Sequence, residues 1–352
     1  MFVDFREYVI EDKSNARQAL QKLDALSSRD SRTLFIINED GKLLGTITDG
    51  DIRRGLLSGR EISENVSLYM NRKFRFLRED QINAEEVKLY KGLKINLLPV
   101  LDSKERIIKL IDLKQVQAIV PISALIMAGG RGERLRPLTD ATPKPMLKVG
   151  DKPIIEHNID RLIKYGVEDF YISIKYLGKS IQDYFGDGKS KGVNIRYIEE
   201  DEPLGTIGAF RLAPQIRHEH ILVMNSDILT TLDFEDFYKH FLAVNAEMCV
   251  ASVPYNVNIP YGVLELSDDL HVTSLKEKPT YVYYSNAGIY LLKSNLRDLI
   301  PTQGMYNATD LMDDLIRKSR KVVNFPILNY WLDIGNQQDF LKAQMDIKHL
   351  EL

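Results

Sequence analysis

An apolar strand that runs into glycines and then into basic residues is a simple way for a chain to hold a phosphate, because glycine lets backbone N–H groups approach an anion closely. Such a run follows Ile122 to Ala128 and reads Gly129-Gly130-Arg131-Gly132-Glu133-Arg134-Leu135-Arg136-Pro137-Leu138-Thr139. Further on come Pro143-Lys144-Pro145-Met146, a second glycine loop at Leu204-Gly205-Thr206-Ile207-Gly208-Ala209, and two isolated aspartates, Asp227 and Asp333. The types suit phosphoryl chemistry. Arginine clamps phosphate through a planar fork and lysine acts as a compact point charge, so the two are not interchangeable. Magnesium takes hard oxygen ligands, usually one or two carboxylates with substrate phosphates and water, which suits two lone aspartates better than a cage. Asp227 ends the apolar run Ile221-Leu222-Val223-Met224, so it falls at the carboxyl edge of a strand, where open α/β sheets bind ligands. The competing role for Asp227 is a helix cap before Leu229 to Leu232, and for Asp333 a cap on a terminal helix from Asn336. No His or Cys cluster has zinc spacing.

Spacing separates the known phosphate loops. A dinucleotide fingerprint counted from Gly130 and Gly132 meets Leu135 where its third glycine belongs, and a P-loop ending in Gly188-Lys189-Ser190 meets Asp183 where its first belongs. The pattern from Gly129 to Thr139 with Pro143-Lys144-Pro145-Met146 instead resembles the signature of sugar-1-phosphate nucleotidylyltransferases, and later segments match in order to about residue 345. The resemblance implies that Ala128, Gly129, Gly130, Gly132, Leu204, Gly205 and Thr206 contact the nucleotide. It also implies that Arg134 faces the departing pyrophosphate, that Lys144 sits near the reacting phosphate, and that Asp227 and Asp333 hold Mg²⁺. Tyr261-Gly262-Val263, Glu277-Lys278-Pro279 and Asn286-Ala287-Gly288 look like the sugar pocket, with Gly262, Glu277, Lys278 and Asn286 as its contacts. Arg131 and Arg136 read as solvated or secondary contacts.

The implied reaction joins an NTP and a sugar-1-phosphate into an NDP-sugar and pyrophosphate. Positioning and charge dominate such a transfer, and a phosphate with a second pKa near ~6 is already mostly ionised at neutral pH, so a general base adds little. GDP-sugar synthesis for bacterial surface sugars is the first expectation, with uridylyl or thymidylyl transfer as its competitor. A regulatory subunit that binds nucleotide without turnover is the alternative of a different class.

Elements that position these residues follow from periodicity. Pro153 starts a helix with Ile155, Ile159, Leu162 and Ile163 on one face, ended by Gly166. Apolar strands are predicted at Phe170 to Ile174, Ile195 to Ile198, His220 to Met224 and Met248 to Val253, with helices opened near Gly205 and at Asp233. The alternation predicts an α/β unit, a mostly parallel Rossmann-like sheet over residues 123–352, joined by a linker at 119–122 to a smaller α+β unit at 1–118.

In that first unit Ser14 is the expected cap of a helix carrying Ala19, Leu20, Leu23 and Leu26. A hairpin over Leu34 to Thr48 and a helix from Asp49 follow. Shifting the sequence by 63 residues lays Phe35 to Asp49 over Leu98 to Asp112, a tandem repeat. Gly45-Thr46-Ile47-Thr48-Asp49-Gly50-Asp51-Ile52 resembles the signature of CBS domains, which usually occur in pairs and often bind adenine nucleotides. The resemblance implies that Thr48 and Asp51 hold a ribose, or else that the pair only dimerises the chain. The second copy has Ile111 and Lys114 at those positions under this shift, so at most one complete site is expected.

Composition closes off other classes. The 352 residues are 44% apolar and 28% charged with a formal net charge of -3, so no one-signed field favours nucleic acid or an anionic membrane. A single cysteine, Cys249 in an apolar run, excludes a disulfide framework. The charged start Asp4-Phe5-Arg6-Glu7 lacks a signal-peptide pattern, and no apolar stretch reaches membrane-spanning length, so a cytoplasmic protein is expected, while the CBS resemblance implies a homodimer or higher homo-oligomer. The end at Leu352 shows no hexapeptide repeat, so no fused acetyltransferase is expected.

Overall fold

The computed structural model describes residues 2–26, 31–79 and 84–350. They form two compact units, one of residues up to Ile119 with Lys164–Gly166 grouped with it, the other of Val120–Ile163 and Val167 onward. No described helix is long and apolar enough to cross a membrane.

The N-terminal unit holds two small sheets, one of Val9–Glu11, Thr33–Ile37 and Leu43–Thr48, the other of Phe2–Val3, Ile107–Asp112, Leu97–Leu101 and Leu77–Arg78. Helix Ala16–Ala25 buries Ala16, Ala19 and Leu23, and its cap is Asn15 rather than Ser14. Asn15 and Gln18 exchange side-chain and backbone bonds in a capping box, whereas the Ser14 N–H is already spent on the Glu11 carbonyl at 3.1 Å.

The repeat is real but its offset is 64, not 63. Ile37 pairs with Leu43 and Leu101 with Ile107, each just past a bulge, and Thr33 pairs with Thr48 as Leu97 pairs with Asp112. The hairpin turns agree, because Gly41 at φ 78 and Glu105 at φ 60 occupy the same left-handed position. Strand Leu97–Leu101 is buried at every residue, so no inside–outside alternation pins its register in sequence. The positive-φ turn residue does. Thr48 therefore corresponds to Asp112 and Asp51 to Gln115, in place of Ile111 and Lys114. The first copy continues from Thr48 into helix Asp49–Leu57, while the second ends in a turn after Asp112, whose carboxylate accepts from the Lys114 N–H at 3.0 Å.

The C-terminal unit is built on a seven-stranded sheet in the order Asn194–Glu199, Asp169–Ile174, Ile122–Met127, His220–Asn225, Thr280–Lys293, Met248–Asn258, Val322–Pro326. Only Thr280–Lys293 runs antiparallel to its neighbours; the remaining pairings are parallel. The central strands are continuous apolar runs buried along most of their length, as a sheet covered on both faces requires. Helix Ile154–Lys164 ends before Gly166 at φ 80, and Asp233 caps Phe234–Ala243. The helix expected near Gly205 is only Ala209–Leu212, because Pro214 holds Ala213 in extended backbone. In the connection between Met248–Asn258 and Thr280–Lys293, Val263–Leu266 and Val272–Lys276 form a separate hairpin.

Candidate active site

The phosphate-type loop leaves the carboxyl end of strand Ile122–Met127. The Ala128 N–H continues the sheet by donating to the Ser173 carbonyl at 2.9 Å, and the chain then opens at Gly129 and Gly130. Gly132 sits at φ 65, and a Cβ there would lie 2.9 Å from Lys144 Cβ and 3.0 Å from Thr139 Cγ2. This glycine is required twice over, by backbone conformation and by the lysine packed on it. The Thr139 hydroxyl donates to the Gly132 carbonyl at 2.9 Å and closes the loop.

Four charged residues scattered over two hundred positions converge here. Lys144 Nζ donates to Asp227 Oδ2, and the two side chains are only 11% and 20% exposed, so the pair is far less screened than a surface ion pair. Asp333 joins them through a short antiparallel ladder, Ile228–Thr230 on Trp331–Asp333, in which Ile228 faces Asp333 and the Ile334 N–H donates to the Asp227 carbonyl at 3.0 Å. Neither aspartate is a helix cap. Asn336 caps the terminal helix Gln337–Asp346, and Asp227 leads into a strand. Arg134 completes the set, its guanidinium lying against Gly335, where a Cβ would be 3.5 Å from it.

A small apolar cluster does the assembling. Leu135, Leu147, Val149, Leu229, Leu332, Ile334 and Ala343 are buried together. Leu135 is the neighbour of Arg134, Leu147 closes the turn that starts at Lys144, Leu229 lies two residues beyond Asp227, and Leu332 and Ile334 flank Asp333. Each charged tip thus stands on an apolar foot sunk in one common core.

The electrostatics leave room for a cation. Burial pushes the Asp333 carboxyl above its ordinary range, the Asp227 charge adds to this, and Lys144 and Arg134 oppose it. Asp227 Oδ1 and Asp333 Oδ1 are buried without a hydrogen-bond partner. Two unpaired carboxylate oxygens facing one region fit a hard divalent ion completed by substrate oxygens. No cluster of three or more His, Cys, Asp or Glu that could cage a metal exists among the described residues.

Beside this quartet opens a cleft of about 690 Å³ whose walls include Gly129, Gly130, Lys144, Gly205, Thr206 and Asp227. Gly205 has φ 82, and a Cβ on it would lie 2.6 Å from the Tyr306 carbonyl oxygen. Thr206 is held from behind, its hydroxyl accepting from the Ala308 N–H at 2.9 Å and its N–H donating to Asn307 Oδ1 at 3.2 Å. The Leu204 carbonyl accepts from the Tyr306 N–H at 2.9 Å, so Leu204 anchors the loop rather than lining the cleft. Arg131 lines the cleft and its guanidinium lies 5.9 Å from the Tyr176 ring, whereas Arg136 pairs with Asp140 at 3.4 Å.

The sugar-side residues divide. Asn286 is braced within its own strand: its amide donates to the Tyr290 hydroxyl at 2.8 Å and accepts from the Gly288 N–H at 2.9 Å, while Trp331 Nε1 donates to the neighbouring Ala287 carbonyl at 3.0 Å. Gly262 and Glu277 meet each other, a Cβ at 262 lying 3.2 Å from Glu277 Oε2, and Lys278 takes φ 43. All four, Asn286 included, are exposed, and none lines the 690 Å³ cleft. Sequence reasoning overlooked Lys175, Glu200 and Met305, which line the cleft. Glu200 hides in the charged run Glu199 to Glu202, which reads as an ordinary solvated strand end.

In the N-terminal unit Thr48 and Asp51 are brought together, but as a helix cap. The Thr48 N–H and hydroxyl donate to Asp51 Oδ2 at 2.9 and 2.7 Å, and Arg54 donates to Asp51 Oδ1 at 2.6 Å.

The nucleotidyl transferase family matches residues 123–349, and the CBS domain family matches residues 6–58. A bifunctional GlmU protein of Methanocaldococcus jannaschii is 34% identical over 229 residues, 63% of this chain and 53% of the relative. A mannose-1-phosphate guanyltransferase of Pichia angusta is 31% identical over 233 residues, 63% of each chain. The chain thus spans about half to just under two thirds of the length of these curated relatives. Among solved structures, HddC of Yersinia pseudotuberculosis in complex with GMP-PN is 27% identical with a TM-score of 0.51, covering 64% of this chain and 99% of that one. A Bacillus anthracis structure provisionally assigned as a glucose-1-phosphate thymidylyltransferase shares the fold at 22% identity and a TM-score of 0.54, covering 66% of this chain and 97% of that one. With its glycine loop, paired carboxylates and seven-stranded sheet inside the matched region, the chain belongs to the nucleotidyl transferase family and carries a CBS domain ahead of it.

Proposed function

We propose that the C-terminal unit joins an NTP to a sugar-1-phosphate, releasing pyrophosphate and an NDP-sugar, and that the product is a GDP-sugar used in surface-sugar synthesis. The observation that carries the reading is the convergence of Arg134, Lys144, Asp227 and Asp333 beside a nucleotide-sized cleft that Lys144 and Asp227 line, with Asp227 Oδ1 and Asp333 Oδ1 unpaired. A sugar-phosphate oxygen attacks the α-phosphorus as the bond to the bridging oxygen of pyrophosphate breaks. Lys144, shielded and held in place by Gly132 and Asp227, presents its positive charge where the α-phosphate reacts. Arg134 offers its fork to the departing pyrophosphate. The glycines from 129 to 132 and Gly205 let the backbone close on the triphosphate and keep the reactants in line. Asp227 and Asp333 would hold Mg²⁺, which when bound supplies charge neutralisation to the triphosphate.

Guanylyl transfer is favoured by the guanyltransferases among the relatives and by the HddC neighbour solved with GMP-PN. Gly262, Glu277, Lys278 and Asn286 take the sugar-1-phosphate. The N-terminal unit binds an adenine nucleotide at Thr48 and Asp51 and supports a cytoplasmic homodimer. Pyrophosphate release from a panel of GTP, UTP, dTTP, CTP and ATP with several sugar-1-phosphates and Mg²⁺ tests the reading. GTP-dependent release is the expected result; silence across the panel alongside nucleotide binding would convert the chain into a regulatory subunit.

A further inference from the structure

The terminal helix that follows Asp333 carries a carboxylate to which the transfer reading gives no task. Asn336 caps helix Gln337–Asp346 by accepting from the Gln338 and Asp339 N–H groups at 2.8 and 3.0 Å, and Asp339 stands three residues beyond the cap. Elsewhere in this chain, a neutral cap residue three before an aspartate is bonded back by it. In helix Ala308–Arg317 the Asp310 carboxylate accepts from the Asn307 N–H at 2.7 Å, and in helix Asp49–Leu57 the Asp51 carboxylate accepts from the Thr48 N–H at 2.9 Å. Between Asn336 and Asp339 that return bond is not made. Asp339 forgoes the usual use of an acid at this position.

Its carboxylate turns toward the guanidinium of Arg134. A Cβ on Gly335 would lie 3.5 Å from Asp339 Oδ2, and 3.5 and 3.6 Å from the two terminal nitrogens of Arg134. The charged tips are thus within about 7 Å of each other, inside the ~8 Å over which charges act before physiological salt screens them. Asp339 is half-buried, and its charge is felt as far as Asp333, where it adds to the upward push of burial and of Asp227 on that carboxyl. The same helix start ties down the loop that carries the arginine, Gln337 Nε2 donating to the Arg136 carbonyl at 2.8 Å. The carboxylate therefore keeps its place relative to the arginine's own backbone.

Arg134 needs such help. It is exposed, and among the described residues its guanidinium makes no ion pair or hydrogen bond. A long side chain left free loses rotamer entropy when it closes on a ligand, and holding it beforehand lowers that cost. A carboxylate just beyond bonding range can draw the fork to one side while all of its donors stay open for phosphate. We propose that Asp339 is a positioning residue for the departing pyrophosphate, holding the Arg134 fork over Gly335 where the diphosphate leaves. This rests on the nucleotidyl transfer reading for the role of Arg134. Repulsion between Asp339 and the polyanion acts in the opposite sense, so the sign of the effect decides between them.

Pyrophosphate is released whichever base and sugar are joined, so its binding tests the inference without naming either. The experiment is calorimetric titration of the full chain with pyrophosphate and Mg²⁺ in wild type, Asp339→Asn, Arg134→Ala and the double variant. Asparagine keeps the side-chain shape and removes the charge. Asp339→Asn is expected to bind pyrophosphate about 3- to 10-fold more weakly, a usual size for coupling within one charged network, and to lose nothing further once Arg134 is alanine. Unchanged or tighter binding in Asp339→Asn overturns the inference. So does an equal loss in the Arg134→Ala background, the mark of a helix start that only supports the fold. Wild-type affinity in Arg134→Ala would remove Arg134 from the transfer reading and Asp339 with it, whereas a loss in Arg134→Ala without one in Asp339→Asn sinks the positioning role alone.

Discussion

The two candidate ligand sites of this chain are built from the same chemical parts, carboxylates, hydroxyls and cations at strand ends, yet they are left in opposite states. In the C-terminal unit Asp227 and Asp333 each keep a buried oxygen with no partner, and the charge of one disfavours the charge of the other. In the N-terminal unit Thr48, Asp51 and Arg54 satisfy one another, so a ribose must compete with a helix cap and an ion pair. Unsatisfied polar atoms are costly inside a protein, and a fold that retains them has reserved them for something that binds. A satisfied capping box contributes stability whether or not a ligand arrives.

That contrast can be broken or sharpened by experiment. Asp227→Asn or Asp333→Asn should lower turnover by ~10²-fold or more through lost charge stabilisation of the transition state. Steady-state pyrophosphate release measures this, and near-normal rates in both variants would remove the paired-carboxylate assignment. Asp51→Asn is the matched control, expected to leave turnover unchanged.

Next in size is the apolar foot of the site. Leu135→Ala should cost the chain about 2 to 5 kcal/mol, the usual range for truncating a buried leucine, and should reduce turnover although Leu135 touches no substrate. Chemical denaturation with parallel rate measurements checks both; intact activity with full loss of that stability would separate the cluster from the positioning of the charges.

A smaller effect is expected at the cap. Thr48→Ala should cost roughly 0.5 to 2 kcal/mol and leave pyrophosphate release untouched. On the same unit, AMP or ATP should raise the melting temperature of the full chain, and Arg54→Ala should strengthen that response because it releases Asp51 Oδ1. No shift with either nucleotide, in either chain, would reduce the unit to a scaffold.

The smallest effect concerns Cys249. Burial pushes its thiol up to about 12, so the folded chain keeps it protonated where an unfolded thiol ionises near ~8.5. The unfolded state then releases a proton that the folded state retains, so this contribution is present below that pH and fades as pH rises above it. Thiol labelling at pH 9 should occur only on unfolding; rapid labelling of native protein would contradict the burial.

Local features of both units were legible in the amino-acid order. The apolar strands starting at Ile122 and His220, the glycine loop, the helix starts at Asp233 and Asn336 and the repeat in the first unit all depend on neighbours within a few positions, where backbone preference and periodicity act. The offset of that repeat was not legible, because a strand buried at every residue carries no alternation and a left-handed Glu105 gives no glycine to mark its turn. Nor was the place of Glu200 in the cleft wall, which is set by Gly129, Ser173 and Leu204 around it and not by the residues beside it in the chain. The sequence by itself determined which residues could bind phosphate and on which kind of element each would stand. Only the tertiary structure decided that Arg134, Lys144, Asp227 and Asp333 would meet. Their meeting depends on one shared apolar cluster and one short ladder between Ile228–Thr230 and Trp331–Asp333, contacts about a hundred residues apart that no local pattern encodes.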